Sequence, residues 1–150
     1  MILEVIKNRP GISYNEIARR TKLSNGVVSH HILKLMDGGK ILKYGKGRPR
    51  YFRSETSEKD MQLVAYFHNK THLKIIQLLI DMKTPLKIET ISKSIGKSNS
   101  TVSISLKKML SMNLITREIL NKNSNLTSDI GYKISDAKFV NELISKYNLY

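Results

Sequence analysis

Apolar and polar positions alternate in blocks along this chain, and the blocks predict short helices. Ile2, Val5 and Ile6 fall at helical intervals, and Pro10-Gly11 breaks the run before Ile12. Ser13-Tyr14-Asn15-Glu16 is a capping-box pattern: the serine hydroxyl and the glutamate carboxylate satisfy the first free N–H groups of a second helix that runs to about Arg20. Lys22-Leu23 reads as a tight turn. Ser24 is a suitable N-cap for a third helix with Val28, Ile32 and Leu35 on its apolar face, and Asp37-Gly38-Gly39 ends it. ILKY and YFR, rich in β-branched and aromatic residues, then flank GKGRPR as a hairpin with a basic tip.

The same pattern occurs twice. Ile2–Ile41 aligns without a gap on Ile76–Ile115, pairing Ile2 with Ile76, Ile17 with Ile91, Val28 with Val102, Ile32 with Leu106 and Ile41 with Ile115. The polar positions Ser24/Ser98, Asn25/Asn99 and Ser29/Ser103 repeat as well. A gapless match means the same elements joined by loops of the same length, so the chain holds two copies of one small fold. In the second copy Lys87 replaces the capping Ser13. Its hairpin is LITREIL and IGYKIS around NKNSNLTSD, a loop that is longer, more polar and less basic. Between the copies, EKDMQLVAYFHN has helical spacing at Met61, Val64, Ala65 and Phe67, and AKFVNELISKYNL reads as a last helix with Phe139, Val140, Leu143 and Ile144 on one face. The expected division is a first domain over 1–56, a helical connector over 57–70, and a second domain with a C-terminal helix over 71–150.

Helix, helix, tight turn, helix and basic hairpin is the order of a winged helix-turn-helix. The segment IARRTKLSNGVVSHHILKLMDGGKILKYGKGRPRYF resembles the DNA-binding core of ArsR-like and MarR-like winged-helix regulators, archaeal ones especially. Those families show S-x-x-x-V-S-x-H-L-x-x-L-x-x-x-G-x-I, matched here by Ser24, Val28, Ser29, His31, Ile32, Leu35, Gly39 and Ile41. The second copy matches less fully, with Ile104-Ser105 in place of the His pair and Asn113 in place of Gly39. The resemblance implies a mainly α fold with small β-hairpin wings, built as two tandem winged helix-turn-helix domains. It also implies a semi-buried place for His31.

Charge narrows the partner. The chain has 26 Lys and Arg against 12 Asp and Glu, a net +14. Residues 1–53 hold 12 basic and 3 acidic residues, 71–150 hold 12 and 6, and the stretch between is near neutral. Such a field favours a polyanion, duplex DNA before an anionic membrane. The sequence has no apolar run long enough to span a membrane. MILEVIKNRP has neither a basic leader nor a small-residue cleavage site, and reads as mature sequence. The absence of cysteine removes disulfides, Cys-ligated zinc and a thiol nucleophile. A cytoplasmic, nucleoid-associated location is the expectation.

In this fold the third helix enters the major groove, with its N-terminal residues at base edges. With Val28, Ile32 and Leu35 turned inward, Asn25, Gly26, Ser29 and His30 face outward. Asn25 can pair with adenine and His30 can donate to a base acceptor. Gly26 admits close backbone approach, and Ser24, Ser29 and Lys22 suit phosphates. Lys43, Tyr44, Lys46, Arg48 and Arg50 make a cationic wing for the backbone or a narrow minor groove. The second copy offers Lys97, Ser98, Asn99, Ser100, Thr101, Ser103 and Lys107, so the first copy is expected to be the main reader.

Other chemistries fare worse. Adjacent His30 and His31 diverge by about 100° on a helix and do not chelate one ion. His68 and His72, at i and i+4, would do so only if one helix spanned both, and no HExxH motif accompanies them. GKGRP joins two strands and is not a phosphate-binding P-loop. No catalytic constellation stands out, so neither an enzyme nor a cofactor is expected. Two assemblies are open: a monomer whose two copies read neighbouring sites, or a homodimer through Met61–Phe67 or Phe139–Ile144, favoured because the first helix starts at Met1 with no extra helix before it; the same apolar faces could equally pack within the chain. The competing class is a protein–protein assembly or chromosome-associated tandem winged-helix module, which has no need of the strong positive charge. RNA binding lacks the aromatic residues for base stacking.

Overall fold

The computed structural model describes residues 1–121 and 129–149. The chain forms two compact units: Met1–His68 together with the residues from Leu143 on, and Asn69–Glu142. This grouping cuts the chain at other points than 56 and 70. The connector helix lies inside the first unit, and the last helix is shared between the two.

The first unit runs α1 (Ile2–Asn8), β1 (Ile12–Ser13), α2 (Tyr14–Thr21), α3 (Asn25–Asp37), β2 (Ile41–Tyr44), β3 (Arg50–Arg53) and α4 (Glu58–Phe67). Its core is Ile2, Ile6, Ile12, Ile17, Val28, Ile32, Ile41 and Tyr51, all buried, and most are the positions that recur in the repeat. The sheet has order β1-β3-β2 and is antiparallel throughout, with Ile12 opposite Tyr51 and Lys43 opposite Tyr51 on the other side. The β2–β3 hairpin is the one the periodicity predicts; β1 falls where the periodicity predicts only the exit of the first helix.

The capping box forms by half. The Ser13 hydroxyl accepts from the Glu16 N–H at 3.4 Å, but the Glu16 carboxylate lies 3.5 Å from Arg9 Nε and 3.7 Å from Arg19 Nη2 instead of turning back on the cap. Two nearby guanidinium groups attract the carboxylate more strongly than one amide does.

The second unit runs α5 (Lys70–Met82), α6 (Ile88–Ile95), α7 (Asn99–Ser111), β4 (Ile115–Ile119), β5 (Ile130–Ile134) and the start of α8 (Ala137–Tyr147). Ile76, Leu79, Leu86, Ile91, Val102, Leu106, Met109 and Ile115 are buried, repeating the first core. Even the third strand has its echo: Leu86 bridges Tyr132 as Ile12 pairs with Tyr51. Asn113 takes the left-handed turn (φ 56°) that Gly39 takes in the first unit (φ 63°), which explains that substitution, since Asn tolerates this region. Most of the predicted loop NKNSNLTSD lies outside the described residues.

The faces expected to support a dimer are covered within one chain. Met61, Val64 and Phe67 are at most 8% exposed, and Val140, Leu143 and Ile144 at most 4%; Phe139 alone of the set is exposed. In the first unit the end of α8 is tied to α4 through Asp60, which accepts from the Tyr147 hydroxyl and from Lys146 Nζ at 3.1 Å.

His68 does not share a helix with His72. α4 stops at Phe67, and Asn69 caps α5 by accepting from the Thr71 and His72 amides. The His68 ring instead makes a 3.0 Å hydrogen bond from Nε2 to the Pro10 carbonyl. Burial pushes its pKa below the ordinary value of 6.5; the Pro10 bond and Glu16 oppose this, and Arg50 and Arg9 reinforce it. The unfolded chain therefore takes up this proton first. Stability from this group is present above about pH 6.5, declines as pH falls, and levels off once the folded imidazole is also charged. In urea titrations at about pH 7.5 and 5.5, His68→Gln should lose less stability on acidification than the parent chain does.

Candidate nucleic-acid interface

α3 is a surface helix with a narrow buried stripe. Val28 and Ile32 are buried, Leu35 and Met36 partly so, and everything else on the helix is exposed. On the far side Gly26, His30, Leu33 and Asp37 form the outward ridge at i, i+4, i+7 and i+11. His30 stands near its middle, as expected. His31 does not take the semi-buried place implied by resemblance. It is exposed on the flank of the stripe, its ring 5.9 Å from that of His30 in an edge arrangement.

Ser24 is the N-cap, but its hydroxyl makes no capping bond to α3. In the second unit the Ser98 hydroxyl does cap α7, accepting from the Thr101 N–H at 3.2 Å. A Cβ built on Gly26 would meet nothing within 4 Å. Internal packing therefore gives no reason for glycine at a helical position, where it costs about 0.5–1 kcal/mol relative to alanine.

Sequence reasoning missed Tyr14. Its hydroxyl donates to the Asn25 carbonyl at 2.6 Å, and lies 2.9 Å from Ser29 Oγ. A phenol has one proton, so Ser29 must donate to Tyr14. The Ser29 proton is thereby committed, and its oxygen keeps lone pairs with which to accept. Tyr14 thus anchors the first turn of α3 to the start of α2. Ile88 holds the corresponding place in the second unit and has no hydroxyl to do the same. That difference between the copies is the signal by which Tyr14 could have been found in the sequence.

The wing is a tight basic loop. Gly45 and Gly47 have φ of 90° and 75°, and the Arg48 N–H bonds the Lys46 carbonyl at 2.9 Å, so the chain turns sharply and presents Lys46 and Arg48 to solvent. Lys43 is exposed on β2, and the Tyr44 ring packs edge-on against Phe52 at 6.5 Å. Arg50 is not at the tip. It is the first residue of β3, half-buried, and its Nη1 donates to the Gly11 carbonyl at 3.1 Å. Together the wing and the start of α2 border a groove of about 430 Å³ lined by Tyr14, Asn15, Gly47, Arg48, Pro49 and Arg50.

Lys22 is exposed at the C-cap of α2 in the left-handed conformation (φ 56°), where the second unit has Gly96 (φ 67°). None of Lys22, Lys43, Lys46 and Arg48 forms an ion pair with a described residue. In the second unit Lys97, Ser98, Asn99, Ser100, Thr101 and Lys107 are exposed at or along α7, and Ser103 is half-buried. Among the described residues no group of three His, Asp or Glu is placed to hold a metal, and no helix is long and apolar enough to cross a membrane.

Comparison with known proteins agrees with this architecture in each unit. Residues 1–41 match a family described as winged helix-turn-helix DNA-binding, and residues 69–117 match one described as bacterial regulatory protein, arsR family. Neither description is of an enzyme. No curated protein matches the chain significantly. One similar solved structure is the homodimeric winged helix-turn-helix DNA-binding domain of a possible ArsR-family transcriptional regulator from Mycobacterium bovis. It is 19% identical, covers 64% of this chain and 93% of its own, and superimposes with a TM-score of 0.42.

Proposed function

Because the chain carries two winged helix-turn-helix units in tandem, one matching a DNA-binding family and the other a bacterial regulatory family, we propose that it is a sequence-specific transcription regulator of duplex DNA. α3 of the first unit enters the major groove. The wing lies on the backbone or reaches a narrow minor groove. The observation that carries this reading is the outward ridge of α3: a glycine with no packing role, then an exposed histidine, beside a wing whose cations pair with no acid among the described residues.

The roles divide by chemistry. His30 and Asn25 address base edges, and Ser29, oriented by Tyr14, accepts from a base amino group. The Ser24 hydroxyl, not used in capping, and the free N–H groups of the first turn of α3 suit a phosphate oxygen. Lys22, Lys43, Lys46 and Arg48 are phosphate contacts that set register. Arg50 contributes less, because part of its guanidinium is held by Gly11. Regulation follows from occupancy of a promoter.

The test compares variants across a library of duplexes. Arg48→Ala should weaken binding to all sequences by a similar factor. Asn25→Ala or His30→Ala should cost about 1–3 kcal/mol at one base position and relax the preference there. If all three variants shift every sequence equally, the assignment of base reading to α3 is wrong.

A further inference from the structure

α7 keeps the frame of α3 and changes what it presents. Val102, Ser105, Leu106 and Met109 are buried. On the opposite side Ser100, Ile104, Lys107 and Ser111 follow one another at i, i+4, i+7 and i+11, all exposed. Ile104 stands where His30 stands in the first unit and is 71% exposed. Packing does not account for it, and a β-branched residue is not favoured on an exposed helix surface. Its surroundings are polar and cationic: α7 has no acidic residue, Lys107 and Lys108 follow Ile104, and Lys97 precedes the helix. The first turn is fixed by the Ser98 cap and by a 2.9 Å contact between the Ser98 and Thr101 hydroxyls.

A single apolar side chain framed by hydroxyls and lysines matches one feature of duplex DNA. The major groove is polar along its floor except for the C5-methyl group of thymine. The cations on either side fit the phosphates that border that groove. We propose that Ile104 is a specificity-determining residue that packs against a thymine methyl when α7 lies in the major groove. This rests on the DNA-binding reading above and extends it to the second unit. The two units then read by unlike means, His30 by hydrogen bonding and Ile104 by apolar contact, so the preferred site is asymmetric.

The experiment uses the full chain. A preferred duplex is selected from a random library, and each thymine in it is replaced singly by deoxyuridine, which removes only the methyl group. At one position the replacement should weaken the parent chain about fourfold, the weight of one buried methyl group, and leave Ile104→Ala nearly unaffected. Ile104→Val should retain the sensitivity, since it keeps a branched apolar surface. Because Ile104 is exposed, its replacement should leave the circular dichroism and melting of the chain unchanged. Equal uracil effects in parent and Ile104→Ala at every position overturn the proposal while leaving DNA binding intact. So does an Ile104→Ala effect seen in self-association and not in thymine dependence. Absence of salt-sensitive duplex binding by the parent chain would overturn the proposed function along with it.

Discussion

Raising salt from about 50 to about 200 mM should weaken duplex binding by roughly a hundredfold or more. Each phosphate neutralised by a cation releases condensed counterions and contributes about −0.9 to the slope of log affinity against log salt. Lys22, Lys43, Lys46 and Arg48 are exposed and carry no ion pair with a described residue, so each is available to a phosphate. Four contacts give a slope of about −3.6, or a loss of about 150-fold over a fourfold rise in salt. If Lys97 and Lys107 of the second unit also engage, the slope steepens to about −5.4 and the loss approaches 2,000-fold. The slope therefore reads out whether one unit or both lie on the DNA. Anisotropy titrations over a salt series measure it, and Lys46→Ala should reduce it by about one. A slope flatter than about −2 is incompatible with the four contacts.

The apolar skeleton was legible because each helix buries a single face and the chain states the pattern twice. Ile17 with Ile91, and Val28 with Val102, fix the orientation of α2, α3, α6 and α7, and with it the exposure of His30 and Ile104. The failures share a cause. β1 is two residues long and exists only because β3 offers it a partner, which no local period can announce. Arg50 belongs by composition with Lys46 and Arg48; only the approach of Gly11, far away in sequence, draws its guanidinium inward. The phenol of Tyr14 likewise acts on residues more than a turn of helix away, beyond the reach of capping rules. His31 shows the limit of resemblance: a match to a family pattern carries the residue type, and the local width of the buried stripe decides its exposure.

Gly11→Ala should destabilise the first unit by about 2–4 kcal/mol, a fall of roughly 10–20 °C in its melting temperature. Gly11 has φ +78°, where an alanine costs about 1–2 kcal/mol. The site is also closed: an added Cβ would lie 2.7 Å from His68 Nε2 and 3.0 Å from Val64 Cγ1. His68 would have to swing away and give up its bond to the Pro10 carbonyl, worth about 1 kcal/mol. The same glycine bonds the Tyr51 carbonyl through its N–H at 2.8 Å and receives Arg50 at its own carbonyl, so a shift here reaches β3 and the base of the wing. The two sources of cost can be separated. His68→Ala in the Gly11→Ala background should cost less than His68→Ala alone, because the clash is relieved once and the backbone strain stays. A double-mutant cycle in urea measures this coupling. Strict additivity would mean that the imidazole does not bear on Gly11, and that the closure of α4 over the start of the sheet has another cause.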